Sequence, residues 1–407
     1  MSSRSQKLSQ AWSEILSGNL TRTLLAILLG FAVGAAFMIF SNREFINSTE
    51  YFFARPLDSL GAAWNIVTSA YGGLFKGAIF NASAAETMLQ FRPLSQTVRF
   101  ATPLIIAGLG ISVAFRSGLF NIGGTGQIVF GMIAAITVAT RVEAPPVIHL
   151  LLAIVAAVIA SSIWGGLVGY LKARTGAHEV ILTIMFNYVA IAIFSFLLRT
   201  EGLLLQAAGG GTPKADPPRE TALFPLIFGE AFSIHWGVLL AVVALAFYWW
   251  LMEKSTIGFR LKMVGYNPAA AEASGVSVRR VTILTMLLSA SFMGFVGANQ
   301  VLGNTGGATV SSHVGIGFDA ITVALLGGSS APGILLAGLL FGAFKAGNPA
   351  MQLAGVAPDV LTIVQASIVL FIAAPPLVRA IFRLPKNAER KKPSDSTGES
   401  LKPGAQN

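Results

Sequence analysis

The sequence predicts an all-α membrane protein: a polytopic helix bundle of about ten transmembrane helices (eight to ten). Three observations carry that prediction. The chain has 407 residues, 54% hydrophobic and only 11% charged, whereas a soluble domain carries ~25% charged residues. Its mean hydropathy is +0.69. Its apolar residues gather into runs near the ~20 residues that cross a bilayer, and most of its Lys and Arg fall between or beyond those runs.

In chain order, the first run covers 23–40. It follows a polar start containing Arg4, Lys7 and Arg22, with no small-residue cleavage site, so it reads as a retained anchor rather than a removed signal. The next expected spans are 98–115, 119–139, 149–171, 180–198, 236–251 and 281–302. Two shorter runs follow, 317–328 and 333–346. They read either as two tilted helices or as one broken or re-entrant hairpin buried in protein. The last span is 359–378, and 41–97 reads as a long external loop. The expected organisation is a cytoplasmic segment 1–22, a transmembrane domain 23–382 containing a cytoplasmic loop 252–280, and a tail 383–407. The tail is rich in Lys, Ser, Pro and Gly and reads as disordered.

Charge orients this arrangement. With both termini cytoplasmic, the inside segments hold Lys172, Arg174, Lys254, Arg260, Lys262, Arg279 and Arg280. They also hold Arg379, Arg383, Lys386, Arg390, Lys391 and Lys392. Inside loops rich in Lys and Arg are what membrane insertion selects. The net charge of +10 is therefore an orientation signal, and no nucleic-acid partner is expected. Arg116 reads as a snorkelling inside anchor.

Composition and motifs exclude several chemistries. Cysteine is absent, which removes disulfides and thiolate sites. The four histidines, His149, His178, His235 and His313, are far apart and show no metal-ligand spacing. Gly328 to Gly333 has part of a phosphate-loop spacing, but Ile334 stands where Lys is required. The chain is expected not to hydrolyse ATP, not to be an enzyme, and to carry no cofactor or metal of its own. No Asp/Glu/His relay or Arg-rich span is present to couple transport to protons or voltage.

The segment from Gly265 to Val276, GYNPAAAEASGV, is an Ala-rich helix former set in a basic loop. Pro268 fits a first helical turn, where its missing N–H has no duty. Gly275 can end the helix in a left-handed conformation. About two turns of helix are too short to be stable alone. One reading is a docking element for a separate motor subunit, and the other is a surface link between two spans. The candidate coupling residues are Gly265, Asn267, Pro268, Ala271, Glu272 and Gly275.

Polar residues gather at two further places. Between Phe115 and Gln127 the chain reads FRSGLFNIGGTGQ, with glycines that permit a break and Asn121, Thr125 and Gln127 at the start of a helix. Asn187 lies within the fifth span and Gln365 in the last. Neutral amides and hydroxyls suit a path for a polar, uncharged solute, and they also serve as hydrogen bonds between helices. The second cluster runs from Gly303 to Asp319, where Asp319 heads an apolar helix and reads as a cap. Polar Glu179, Asn299 and Gln300 also fall in expected spans. The pairs Gly30/Gly34, Gly165/Gly169 and Gly338/Gly342 have the spacing of helix-packing faces.

These motifs resemble the membrane permease subunit of ATP-binding-cassette importers. The group includes branched-chain amino-acid, simple-sugar and nucleoside permeases, and the match is nearest to the nucleoside permeases. The resemblance rests on Ala114 to Gln127, on His178 to Tyr188 (HEVILTIMFNY) and on Gly317 to Gly327 (GFDAITVALLG), and it covers roughly residues 95 to 380. One departure is Thr125, where many relatives carry Glu.

The resemblance implies a permease paired with a second, identical or homologous, permease subunit in the bacterial plasma (inner) membrane. It implies two cytoplasmic ATPase subunits that hydrolyse the ATP, an external solute-binding protein, and surrounding lipid. The segment from Gly265 to Gly275 would be the coupling helix, with Glu272 meeting a basic residue of the ATPase. Simple sugars or branched-chain amino acids are the alternative solutes, and an ion-coupled secondary transporter is the alternative mechanism.

Overall fold

The computed structural model describes residues 19–204, 213–229 and 231–382. Arg4 and Lys7, the side chain of Arg22, the basic cluster at Arg383, Lys386, Arg390, Lys391 and Lys392, and the tail 383–407 lie outside the described residues. The described residues form α-helices, short 3-10 turns and loops, with only two isolated β-bridges. Two units are distinguished, one covering Val33–Gln365 and the other Met1–Ala32 with Ala366–Asn407.

Helix α1 covers Asn19–Ser41, and α2 covers Arg43–Thr49 behind Asn42, whose side chain accepts the Glu44 N–H at 2.8 Å. The stretch 41–97 is not a loop, contrary to the sequence reading. It contains α3, Pro56–Ala78, a helix of 23 residues. Pro56 sits in its first turn, and Ala62, Ala70, Leu74 and Ala78 form its buried stripe. Asp58, Lys76 and many small polar residues dilute its hydropathy, which hid it. Its later turns lie on the C-terminal part of α13 (Ala331–Leu353, below), where Leu74 meets Gly347.

Helix α4, Arg92–Arg116, is the most enclosed long helix of the bundle, with nearly every residue from Ala101 to Ala114 buried. After a break, α5 runs Gly124–Arg141 and α6 Pro146–Thr175. Helix α7, Glu179–Arg199, starts at a short turn across which Lys172 pairs with Glu179 at 2.6 Å. Helix α8, Val238–Lys254, meets α9, Thr256–Tyr266, at a 69° bend. Ser255 caps α9 by accepting the Gly258 N–H at 2.9 Å. The expected loop 252–280 is thus mostly helical. It holds α9 and α10, Pro268–Ala273, before α11, Val278–Leu302.

The two short runs prove unequal. Helix α12, Ile316–Leu326, has 11 residues, but α13, Ala331–Leu353, has 23, long enough to cross a bilayer. Lys345 and Pro349 made the sequence read as if the helix ended early. Lys345 is accommodated because Asp319 of α12 pairs with it at 2.7 Å. Asp319 is therefore an ion-pair partner rather than the cap the sequence implied. Helix α14, Val360–Ala373, and α15, Pro375–Phe382, meet at 92°.

Six of these helices are long and apolar enough to cross a membrane, or up to eight if each bent pair is one span. The fold is a polytopic α-helical bundle. Its core is built where α11 packs on α4, α5 and α6, and where α13 packs on α3 and α4. Gly165 and Gly169 of α6 face Met286 and Ala290 of α11, and Gly338 and Gly342 of α13 face Ile105 and Ala101 of α4. Small residues let these backbones approach without a hydrophobic driving force between lipid-bathed helices. Leu151, Ile159 and Ile163 of α6 and Trp249 and Trp250 of α8 are exposed, as lipid-facing side chains are in a membrane bundle.

Candidate functional site

The break between α4 and α5 folds back into the bundle. Its polar residues are buried and joined to one another. The Asn121 amide N–H groups donate to Gln127 Oε1 at 3.1 Å and to Ser289 Oγ at 2.8 Å, and Asn121 Oδ1 accepts the Gly123 N–H at 2.9 Å. Gln127 Nε2 returns a bond to Asn121 Oδ1 at 3.3 Å. Ser289 in turn donates to the Gly110 carbonyl at 2.7 Å. Asn187 clamps the same break from α7: Oδ1 accepts the Gly126 N–H at 2.7 Å and Nδ2 donates to the Ile122 carbonyl at 2.9 Å.

This network explains why α5 begins at Gly124 and not at residue 119, as the sequence predicted. Residues 119–123 are non-helical, with Asn121 and Gly123 buried, and side-chain amides satisfy the Gly123 N–H and the Ile122 carbonyl. Asn121 and Gln127 are essentially inaccessible, and Asn187 and Thr125 are buried. The sequence assigned these residues to the surface of a solute route. In this conformation their amides face each other and the backbone of the break. Gln365, on α14, is half-buried and is not part of the network. Thr125 instead abuts Gly317, so the first turns of α5 and α12 meet inside the bundle.

The helix of the Gly265 to Val276 segment is formed as its residues predict. Asn267 caps α10 by accepting the Ala270 N–H at 3.1 Å, and Pro268 occupies the first turn. Gly275 takes φ of 81°, and the Val276 N–H reaches back to the Ala271 carbonyl at 3.0 Å, a helix ending that glycine favours. Only Ala271 of this helix is buried; Glu272, Asn267 and Pro268 are exposed. Just before it, Gly265 lies against the backbone of Arg116 and Ser117, and a Cβ there would overlap the Arg116 carbonyl oxygen.

Arg116 is not a snorkelling anchor. It is half-buried and donates from Nε and Nη2 to the Ser329 carbonyl, at 3.2 and 3.0 Å. The Tyr248 hydroxyl donates to the same oxygen at 2.7 Å. Ser329 sits at φ of 52° in the turn between α12 and α13. Gly265, just before α10, therefore touches the residue that holds that turn.

At the opposite ends of α4 and α11 lies a cavity of about 260 Å³ with a mixed polar and apolar lining. Its lining includes Arg99, His235, Asn299, Gln300, Asn304 and Lys345. His235 is held as a neutral ring. Its Nδ1 accepts the Gly237 N–H at 3.1 Å, it stacks on Phe224 at 5.5 Å, and burial, then the Arg99 charge, push its pKa down to about 4. The sequence flagged Asn299 and Gln300 only as polar residues in a span, and it gave no signal for Arg99 or His235. Their convergence depends on the pairing of helices distant in the chain.

The family described as branched-chain amino acid transport system / permease component matches residues 94–373. The chain belongs to this family. It is a permease subunit of an ATP-binding-cassette transporter and a multi-pass protein of the inner membrane, and its part is transport rather than enzymatic turnover.

Among similar proteins, the guanosine ABC transporter permease protein NupP of Bacillus subtilis is 36% identical over 360 residues, 88% of this chain and 94% of that one. The nucleoside ABC transporter permease protein NupB of Lactococcus lactis is 30% identical over 381 residues, 92% of this chain and 95% of that one. The glucose ABC transporter permease protein TsgB13 of Haloferax volcanii is 33% identical over 313 residues, 74% of this chain and 79% of that one. No solved structure matches the chain.

Proposed function

We propose that this permease forms the membrane path of a nucleoside importer. Its motor is a pair of cytoplasmic ATPase subunits that hydrolyse ATP, its solute is delivered by an external binding protein, and it works beside a second permease subunit. The observation that carries this reading is α10, a capped, outward-facing helix anchored through Ala271 alone. A six-residue helix has no stability of its own, so its exposed face is suited to a partner groove. Gly265, Asn267, Pro268, Glu272 and Gly275 shape that face or fix its two ends. The end of the bundle bearing α10 is then cytoplasmic, and the cavity near Arg99 opens toward the outside.

A guanosine permease and a nucleoside permease match over 94% and 95% of their own length, against 79% for the glucose permease, which favours nucleosides over sugars or branched-chain amino acids. Asn121, Thr125, Gln127 and Asn187 serve the path by holding the non-helical break that borders it, and Gln365 borders it from α14.

The test is uptake of labelled guanosine, uridine, ribose and leucine by the reconstituted complex, with intact ATPase and with an ATPase whose phosphate-loop Lys is replaced. Nucleoside uptake that needs the intact ATPase is the expected result. Uptake of ribose or leucine alone would overturn the solute, and uptake indifferent to the ATPase lesion would overturn the mechanism.

A further inference from the structure

The cavity near Arg99 carries a more specific reading, which rests on the proposed nucleoside function. Most of its polar groups are already committed. Asn299 Nδ2 donates to the Gly237 carbonyl at 3.3 Å, Gln300 Nε2 donates to the Ser312 carbonyl at 2.9 Å, and Lys345 is paired with Asp319. His235 Nδ1 is occupied by Gly237.

Asn299 Oδ1 and His235 Nε2 have no partner among the described residues, and neither do the two groups that carry the reading. The Arg99 guanidinium makes no hydrogen bond or ion pair among the described residues, and Gln300 Oε1 is an acceptor without a donor there. The Phe100 ring lines the same cavity. The surroundings are electropositive. Asp319 is neutralised by Lys345, and the N-terminus of α12, an 11-residue helix, begins at the lining residue Ile316 with its dipole's positive end.

A fork of donors and an acceptor that line one cavity with an aromatic face suit one ligand edge. That edge must offer two adjacent acceptors to the fork and a donor beside them. The edge of a 6-oxopurine has this order: N7 and O6 accept, and N1–H donates next to O6. A guanidinium reads O6 and N7 together. A 6-aminopurine turns an N–H group toward the fork at the same place, and a pyrimidine has no N7.

We propose that this cavity is a base-reading subsite of the permease, in which Arg99 and Gln300 select 6-oxopurine nucleosides over 6-aminopurine and pyrimidine nucleosides. Arg99 supplies the fork to O6 and N7, Gln300 Oε1 accepts from N1–H, and Phe100 packs on the ring.

The test is a specificity swap in the full complex, with the same binding protein at saturation throughout, so that the binding protein's own preference cancels between variants. Uptake rates of inosine and adenosine are compared for the wild-type permease, Arg99→Gln and Gln300→Leu. A side-chain amide reads the N6/N7 edge of adenine as a guanidinium reads O6/N7. Arg99→Gln is therefore expected to lower the inosine-to-adenosine rate ratio by ~10-fold or more, partly by raising adenosine uptake. Gln300→Leu is expected to lower the inosine-to-adenosine rate ratio as well, by lowering inosine uptake more than adenosine uptake.

An equal fall for both solutes would mean Arg99 acts only through charge or packing and would overturn the proposal, as would an unchanged ratio. Competition by inorganic phosphate at the concentration of inosine would mark a simple anion site and would also overturn it. A wild-type complex that moves ribose but no nucleoside would instead bring down the underlying nucleoside function.

Discussion

Replacing Asn121 with Ala tests whether the network at the α4–α5 break is a structural knot or a solute contact. The side chain makes three hydrogen bonds at 2.8–3.1 Å and takes part in a fourth at 3.3 Å, all out of contact with solvent. Ser289 keeps its bond to the Gly110 carbonyl. The Gly123 N–H and both ends of the Gln127 amide lose a partner. A buried orphan costs ~1 kcal/mol or more in a protein interior, and interhelical bonds in a membrane bundle average ~0.6 kcal/mol. Three orphans then cost ~2–3 kcal/mol. The expected result is a purified complex that melts several degrees lower yet carries solute at the wild-type rate per folded complex. Ser289→Ala removes one acceptor from the knot and is expected to cost less, ~0.6–1 kcal/mol. An Asn121→Ala complex with an unchanged melting temperature and lost uptake would refute the reasoning and make Asn121 a solute contact.

Glu272→Arg and Gly275→Pro are each expected to abolish uptake and weaken co-purification with the ATPase while leaving membrane levels normal; intact association and uptake in both would end the coupling reading of α10. Gly265→Ala forces a methyl group onto the Arg116 carbonyl and is expected to destabilise the permease by ~1–3 kcal/mol, read as a lower melting temperature; an unchanged melt would show that the approach is not close. A cysteine at exposed Ala269 is expected to react with a membrane-impermeant thiol reagent from the cytoplasmic side only, and labelling of intact cells would invert the orientation. His235 has a folded pKa of about 4 against an ordinary 6.5, so the unfolded chain binds more protons between these values. Stability is then expected to fall as pH drops from 6.5 to 4, by ~3 kcal/mol at the limit, and His235→Gln should flatten that window in pH-dependent melting.

Much of the local structure was legible in the residues. Pro268 and Gly275 predict both ends of α10, because a proline's missing N–H and a glycine's left-handed φ are properties of single residues. The apolar runs predict most of the long helices, because hydropathy acts over a stretch of chain whatever it packs against. The places where the sequence misled are those where a residue's partner lies on another helix. Helix α3 read as loop because its Gly73 and Gly77 lower its apolar content, yet they are what bring it against Ala350 and Gly347. Helix α13 read as short because its apolar run stops beside Lys345, whose charge Asp319 cancels.

By itself, then, the sequence determined a helical membrane bundle, its packing glycines, an exposed short helix, and the absence of a phosphate loop. The tertiary structure alone decided what the polar residues do. Asn121 and Gln127 lie six residues apart in the chain and can be read as facing any solute. Ser289, 168 residues from Asn121, makes them one buried network, because an amide in a low-dielectric interior must find a partner wherever the fold supplies one. Arg99, Gln300 and His235 likewise come from distant parts of the chain to line one cavity. Their meeting is a consequence of how α4, α11 and the chain before α8 pack, and no local pattern encodes that packing.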